Sequence, residues 1–178
     1  MYPYLKLSTT LLRAKYRPKL ELEDTGVLKT WAGITDVDPF MELNHARQIT
    51  YMELGRWDYS ARTGFIELLK NNKWGLTVGG ISIRYRRRVP FLKAFSVTTK
   101  PICHDSRWFY FLQEILRGDQ ICSSALVKAG AVSRSGLVPA PEALAAAGRE
   151  DWGHDIPQWV SEWIAAESHR PWPAGNSN

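Results

Sequence analysis

The chain has 178 residues, 44% of them hydrophobic and 23% charged, with a formal net charge of +5. That length gives one domain with extra at its ends, enough to bury a core without disulfide or metal staples, and the composition excludes a disordered chain. No apolar run is long enough to span a membrane, and the N-terminus lacks the apolar stretch and small-residue cleavage site of a secretory signal, so a cytoplasmic location is expected.

Residues 2–16 read as an amphipathic helix, with Tyr4, Leu7, Leu11 and Leu12 at helical spacing. Lys6, Arg13, Lys15, Arg17 and Lys19 make this stretch basic, and no acid precedes Glu21. Apolar helix faces usually pack on protein. The other reading is peripheral contact of residues 2–19 with an anionic membrane. A strand is expected over 27–35, with Trp31 inside it. Residues 36–44 form a turn-rich loop with several acids and Pro39. A long helix then covers 45–69, its apolar face formed by Ile49, Met52, Leu54, Trp57, Ala61, Phe65 and Leu68. Gly64 interrupts or bends this helix and Asn71-Asn72 stops it.

From Trp74 the period changes to two. Ile81, Ile83, Tyr85 and Arg87 alternate with Ser82, Arg84, Arg86 and Arg88 until Pro90. Further strands are expected over 94–102, 107–116 and 121–133, the last two joined at Gly118-Asp119. After Gly136 come Pro139 and Pro141, a short helix over 141–147 and another over 156–168 with Trp159, Trp163 and Ile164 on one face. The last eight residues, from Pro171, read as disordered. The organisation is therefore an N-terminal arm (1–26), a central domain (27–139) and a C-terminal helical extension with a tail (140–178). A strand, a long helix and four strands make an α+β layout, an antiparallel sheet wrapped around one central helix, known as the hotdog fold. With eight tryptophans, several indoles are expected at an interface or cleft edge, because a buried N–H needs a partner. Cys103 and Cys122 lack zinc-type spacing and fit a reducing compartment, with a disulfide between them as the alternative.

The stretch with the most chemistry is Thr35-Asp36-Val37-Asp38-Pro39, followed by Asn44-His45 at the helix start. A carboxylate can attack a thioester carbonyl or activate water against it. A helix N-terminus offers unpaired N–H groups and a positive dipole end to the oxyanion that forms. Asp and Asn before a helix also serve as caps and turn formers, so spacing leaves both roles open.

Asp36-Val37-Asp38-Pro39, with Glu53 on the helix, resembles the 4-hydroxybenzoyl-CoA thioesterase class of hotdog enzymes. Thr35 to Asp58, ending Met52-Glu53-Leu54-Gly55-Arg56-Trp57-Asp58, is similar to the thioesterase superfamily member six-like subgroup. So are the segments Val78 to Tyr85, Asp105 to Tyr110 and Gly136-Leu137-Val138-Pro139. The resemblance covers residues 2 to 139. It implies an acyl-CoA thioesterase with Asp38 as nucleophile or general base. The backbone N–H of His45 would polarise the carbonyl, and Asn44 matches an asparagine of the subgroup's string. It also implies a homodimer or homotetramer, with acyl chain and pantetheine in a groove between subunits. Glu42 stands where the subgroup has histidine, His45 where it has a second asparagine, and Gln48 replaces a common tyrosine. Glu42 is thus a second candidate carboxylate beside the thioester. Convergence of two of Asp36, Asp38 and Glu42 would raise one pKa.

Gly79-Gly80 permits close backbone approach, either for the pantetheine arm or as a simple bulge. Arg84 and Arg86 are candidates for the coenzyme A phosphates, or an edge-protecting charged face. Glu53 reads as a salt-bridging or exposed acid. His104, His154 and His169 have no partners at metal spacing, so no metal is expected, and no cofactor beyond the coenzyme A of the substrate. The substrate is expected to be an acyl-CoA or acyl-carrier thioester. Nucleic acid is not an expected partner, because the arginines lie on one strand without a stacking platform. The alternative function is a non-catalytic acyl-binding or membrane-associated hotdog protein.

Overall fold

The computed structural model describes residues 3–153 and 155–171. Helix α1 (Tyr4–Ala14) is followed by β1 (Gly26–Trp31), a single 3-10 turn (Ile34–Asp36), α2 (His45–Arg62) and α3 (Phe65–Asn72). Then come β2 (Gly75–Tyr85), β3 (Ala94–His104), β4 (Phe109–Arg117), β5 (Gln120–Ser133), β6 (Gly136–Leu137), α4 (Ala140–Ala146) and α5 (Gln158–His169). The strands form one antiparallel sheet in the order β1-β3-β4-β5-β2, with β6 beside β5. This is the expected α+β hotdog architecture.

The sheet curls around α2 because strand alternation supplies an apolar inner face. Val97 of β3, Ile115 of β4 and Ala125, Val127 and Ala129 of β5 point inward onto Tyr51, Met52 and Leu54 of α2. Helix and sheet meet most closely at Gly55. A Cβ there would lie 2.9 Å from Thr99 Oγ1 and 3.1 Å from Val97 Cγ1, so any larger residue would lift the helix. The outer face is covered by α5, whose Val160 packs with Cys103, Tyr110 and Leu126, flanked by Trp108, Trp163 and Ile164. A third cluster, Leu69, Phe109, Val138, Ala140, Ala143, Leu144 and Trp152, lies at the C-terminal end of α2.

Helix α1 packs on α2. Leu7 reaches the main core, and Arg17 donates to both Asp58 oxygens at 3.0 and 3.1 Å. The packed arm still leaves Tyr4, Leu5, Leu12 and Tyr16 exposed.

Several boundaries differ from the sequence expectation. The single helix over 45–69 is two helices, because Gly64 sits at φ +78° and starts α3 on a new axis. β1 stops at Trp31, where the chain turns into the 3-10 segment. β2 ends at Tyr85, so Arg86, Arg87 and Arg88 lie beyond the strand and share no strand face with Arg84. Cys103 and Cys122 are buried free thiols. The tail expected to be disordered lies, beyond Pro171, outside the described residues.

Candidate active site

The acidic loop separates its three carboxylates. Asp36 closes the 3-10 turn and is 3% exposed. It accepts from Gly33 N–H at 3.0 Å, Tyr51 hydroxyl at 2.8 Å and Lys6 Nζ at 2.5 Å. Burial alone would raise its pKa; the hydrogen bonds from Lys6, Tyr51 and Gly33, with the charge of Lys6, outweigh it and hold the carboxyl below its ordinary value. Burial and the Asp36 charge push the Tyr51 hydroxyl upward in turn. Asp36 is therefore a structural carboxylate whose Oδ2 anchors the N-terminal arm.

Asp38 is half-buried and braces the loop. Its Oδ1 accepts from Phe40 N–H at 2.9 Å and Glu42 N–H at 3.3 Å, and its own N–H donates to Glu42 O at 2.9 Å. Among the described residues nothing donates to Oδ2. Glu42 is turned away to Arg88, 3.0 Å distant on the surface. Asp36 and Glu42 turn to different cations, Lys6 and Arg88, rather than to each other.

Asn44 is the N-cap of α2, its side chain accepting from Ala46 N–H at 2.9 Å. His45 opens the helix, and among the described residues its N–H has no acceptor. Tyr85, the last residue of β2, donates to His45 O at 3.4 Å, and the two rings meet edge to face. Asp38, Glu42, Asn44 and His45 thus gather at the positive end of α2. Gln48, one turn further, is 6% exposed; its Nε2 donates to Leu43 O at 3.2 Å, while its Oε1 has no described partner.

The other sequence candidates lie elsewhere. Gly79 is the extra residue of a bulge between Val78 and Gly80. A Cβ on Gly79 would lie 2.7 Å from the Trp108 ring, and one on Gly80 would lie 3.4 Å from Trp163. Both glycines make room for indoles on the outer face and line a shallow recess with Glu167 and Arg170. Arg84, on β2, and Arg86, just past its end, are exposed and flank Tyr85.

A cavity of about 520 Å³ runs between α2 and the sheet, and none of Asp38, Glu42, Asn44, His45, Gly79, Gly80, Arg84 and Arg86 lines it. Its walls are largely apolar: Ile49, Trp57, Leu76, Val78, Ile81 and Phe111 among them, with Ala143 and Leu144 of α4 at one end. Two charged residues, Glu53 and Arg56, face it from α2. Arg56 donates to Gln113 Oε1 at 2.6 Å, and the fully buried Gln113 donates to Met52 O at 2.8 Å and Thr99 Oγ1 at 2.7 Å. Sequence reading placed Glu53 in a salt bridge or in solvent and did not single out Arg56 or Gln113. The signal was present: Ile49, Glu53, Arg56, Trp57 and Ser60 share one helical face.

A helix wrapped by an antiparallel sheet, with an apolar cavity along the helix and an acidic loop at its N-terminus, defines a hotdog protein. The family model of the thioesterase-like superfamily matches residues 32–148, and the chain belongs to that superfamily. Protein THEM6 of Drosophila melanogaster is 28% identical over 123 residues; the match spans 68% of this chain and 62% of that protein. Among solved structures, YbaW, a probable thioesterase from Escherichia coli, superposes with a TM-score of 0.64 at 16% identity, covering 70% of this chain and 96% of its own. Slr0204, a 1,4-dihydroxy-2-naphthoyl-CoA thioesterase from Synechocystis, gives 0.60 at 13% identity, covering 75% and 100%.

Proposed function

We propose that the protein hydrolyses an acyl thioester whose acyl group lies in the cavity beside α2, with Asp38 as the reacting carboxylate. One observation carries this reading. Of the three loop acids, Asp38 alone has no ion-pair partner among the described residues, and it stands at the helix end where the His45 N–H is unclaimed. Asp36 is spent on Lys6, Tyr51 and Gly33, and Glu42 faces Arg88. The Asp38 oxygen takes a proton from the water that attacks the carbonyl carbon, or attacks that carbon itself; the carbon–sulfur bond breaks and the thiolate leaves, and in the second case water then hydrolyses the mixed anhydride to release the acid and restore the Asp38 carboxylate. The His45 N–H and the α2 dipole stabilise the oxyanion. Asn44 holds the first turn in place.

The thiol carrier in this reading is coenzyme A, supported by the substrate named for Slr0204 and by Arg84 and Arg86 beside Tyr85. The cavity within one chain does not reach Asp38, and this supports a site shared by two chains. β2 is an edge strand with Leu76, Val78 and Tyr85 exposed. Antiparallel pairing of two β2 strands would set the Tyr85 end of one, touching His45, beside the Leu76–Val78 end of the other, which lines the cavity.

The test is a thiol-release assay over acyl-CoAs of graded length, with Asp38→Asn beside the parent protein. The variant is expected to fold and to lose about 100- to 10,000-fold in turnover. Turnover retained in full rejects Asp38. Acyl ligand retained without any thiol release, by the parent as well, selects the acyl-binding alternative.

A further inference from the structure

We infer that the end of the molecule around the α2 N-terminus is a docking face for an anionic lipid surface. The inference is independent of the chemistry assigned to Asp38.

Three loops are stitched together there by backbone hydrogen bonds. Ala32 N–H donates to Lys93 O at 3.2 Å, Leu92 N–H to Ala32 O at 2.9 Å, and Phe91 N–H to Met41 O at 2.9 Å. From this platform project Trp31, Ile34, Phe40, Met41 and Leu92, between 46% and 83% exposed. Lys6, held by Asp36, sets the exposed Tyr4 and Leu5 of α1 beside them. Large apolar side chains grouped at loop tips mark an interaction surface.

Two of these side chains hold their places against backbone strain. Met41 sits at φ +58° and Leu92 at φ +57°. That left-handed region suits Gly or Asn, and a bulky apolar residue there is costly. Neither side chain is buried, so no packing within the chain repays the strain. A strained residue persists where its side chain has a use.

Charge identifies the occupant. Lys29 and Lys93 are exposed around this end, Arg84 and Arg86 are exposed on either side of Tyr85 where it touches His45, and α1 contains no acid. Of the nearby acids, Asp36 is buried under Lys6, Glu42 is matched by Arg88, and Asp38 is half-buried and held by the backbone N–H groups of Phe40 and Glu42. The acids gather at the other end of α2, where Glu21, Glu23 and Asp151 surround Arg149 beside α4. A molecule whose exposed basic and apolar groups meet at one end orients on an anionic bilayer, with apolar tips inserting among the headgroups. The loop bearing Asp38 is part of this face, so a thioester dissolved in the membrane would arrive at it directly.

The experiment is co-sedimentation of the full chain with vesicles of phosphatidylcholine, alone or mixed with phosphatidylserine. Binding to the mixed vesicles that weakens with salt is expected. Met41→Gly combined with Leu92→Gly should weaken binding about tenfold or more without lowering Tm, because glycine relieves the strain while removing the anchors. Phe40→Ser, at an unstrained position, should weaken it as well. No sedimentation with either vesicle overturns the inference, as does undiminished binding by the glycine variant. A change in molecular mass on Phe40→Ser, read by light scattering, would assign the face to a second copy of the chain and also overturn it.

Discussion

Asp36 and Asp38 stand two residues apart in one loop and have opposite fates. Lys6, Tyr51 and the Gly33 N–H close around the first; the second has no ion-pair partner among the described residues. Local sequence carries no sign of this division, because the groups that claim Asp36 come from 30 residues before it and 15 after it. The motif was therefore legible as a motif, and the role of each acid was not. Asp36→Asn should cost about 1–3 kcal/mol at neutral pH, the range for leaving a buried partner unsatisfied, reduced because Lys6 is partly in water. The sign of its pH dependence follows from the lowered pKa. Below its ordinary value of 3.8 when folded, Asp36 stabilises the fold above that value, and the contribution disappears as pH falls through the folded one. Urea melts of parent and variant should thus differ at neutral pH and converge in strong acid; a gap constant over that range would refute the assignment.

At the level of elements, strong periodicity was readable and small irregularities were not. The helix around Met52 and the strands around Val97, Ile115 and Val127 stand where their apolar spacing puts them, because each buries one face on the same core. Gly64 was read as an interruption or a bend and is a break between two helices. β6, two residues long, has no period to detect. Gly79-Gly80 shows how a correct local signal can stay ambiguous: close approach was legible, but the approaching group, Trp108, is fixed by a hairpin about 30 residues on and was not. Gly79→Ala should therefore cost about 1–3 kcal/mol as overpacking against a rigid indole. Because Trp163 of α5 abuts the next glycine, amide exchange across α5 should accelerate with it. A variant melting at the parental temperature would show that the sheet yields at its bulge more easily than the geometry indicates.

For the molecule as a whole, the exposed edge of β2 is the feature with the widest reach. An unprotected strand edge invites pairing with another strand. Val78→Lys places a charge on that edge beside the cavity. It is expected to give a smaller particle in light scattering and to lose turnover, since pairing is what would bring Asp38 of one chain to the cavity of the next. Full activity from a monomeric variant would show that a single chain suffices. One feature of the interior also has a practical side. Cys103 is fully buried, and burial, with Asp105 nearby, pushes its thiol up to about 11; burial raises the Cys122 thiol as well. Neither sulfur is a ready nucleophile while the fold is closed. A chromogenic disulfide reagent added to the native protein should therefore register only the coenzyme released by turnover. Once heat or urea opens the barrel, the same dye becomes a clock for exposure of its two hidden sulfurs.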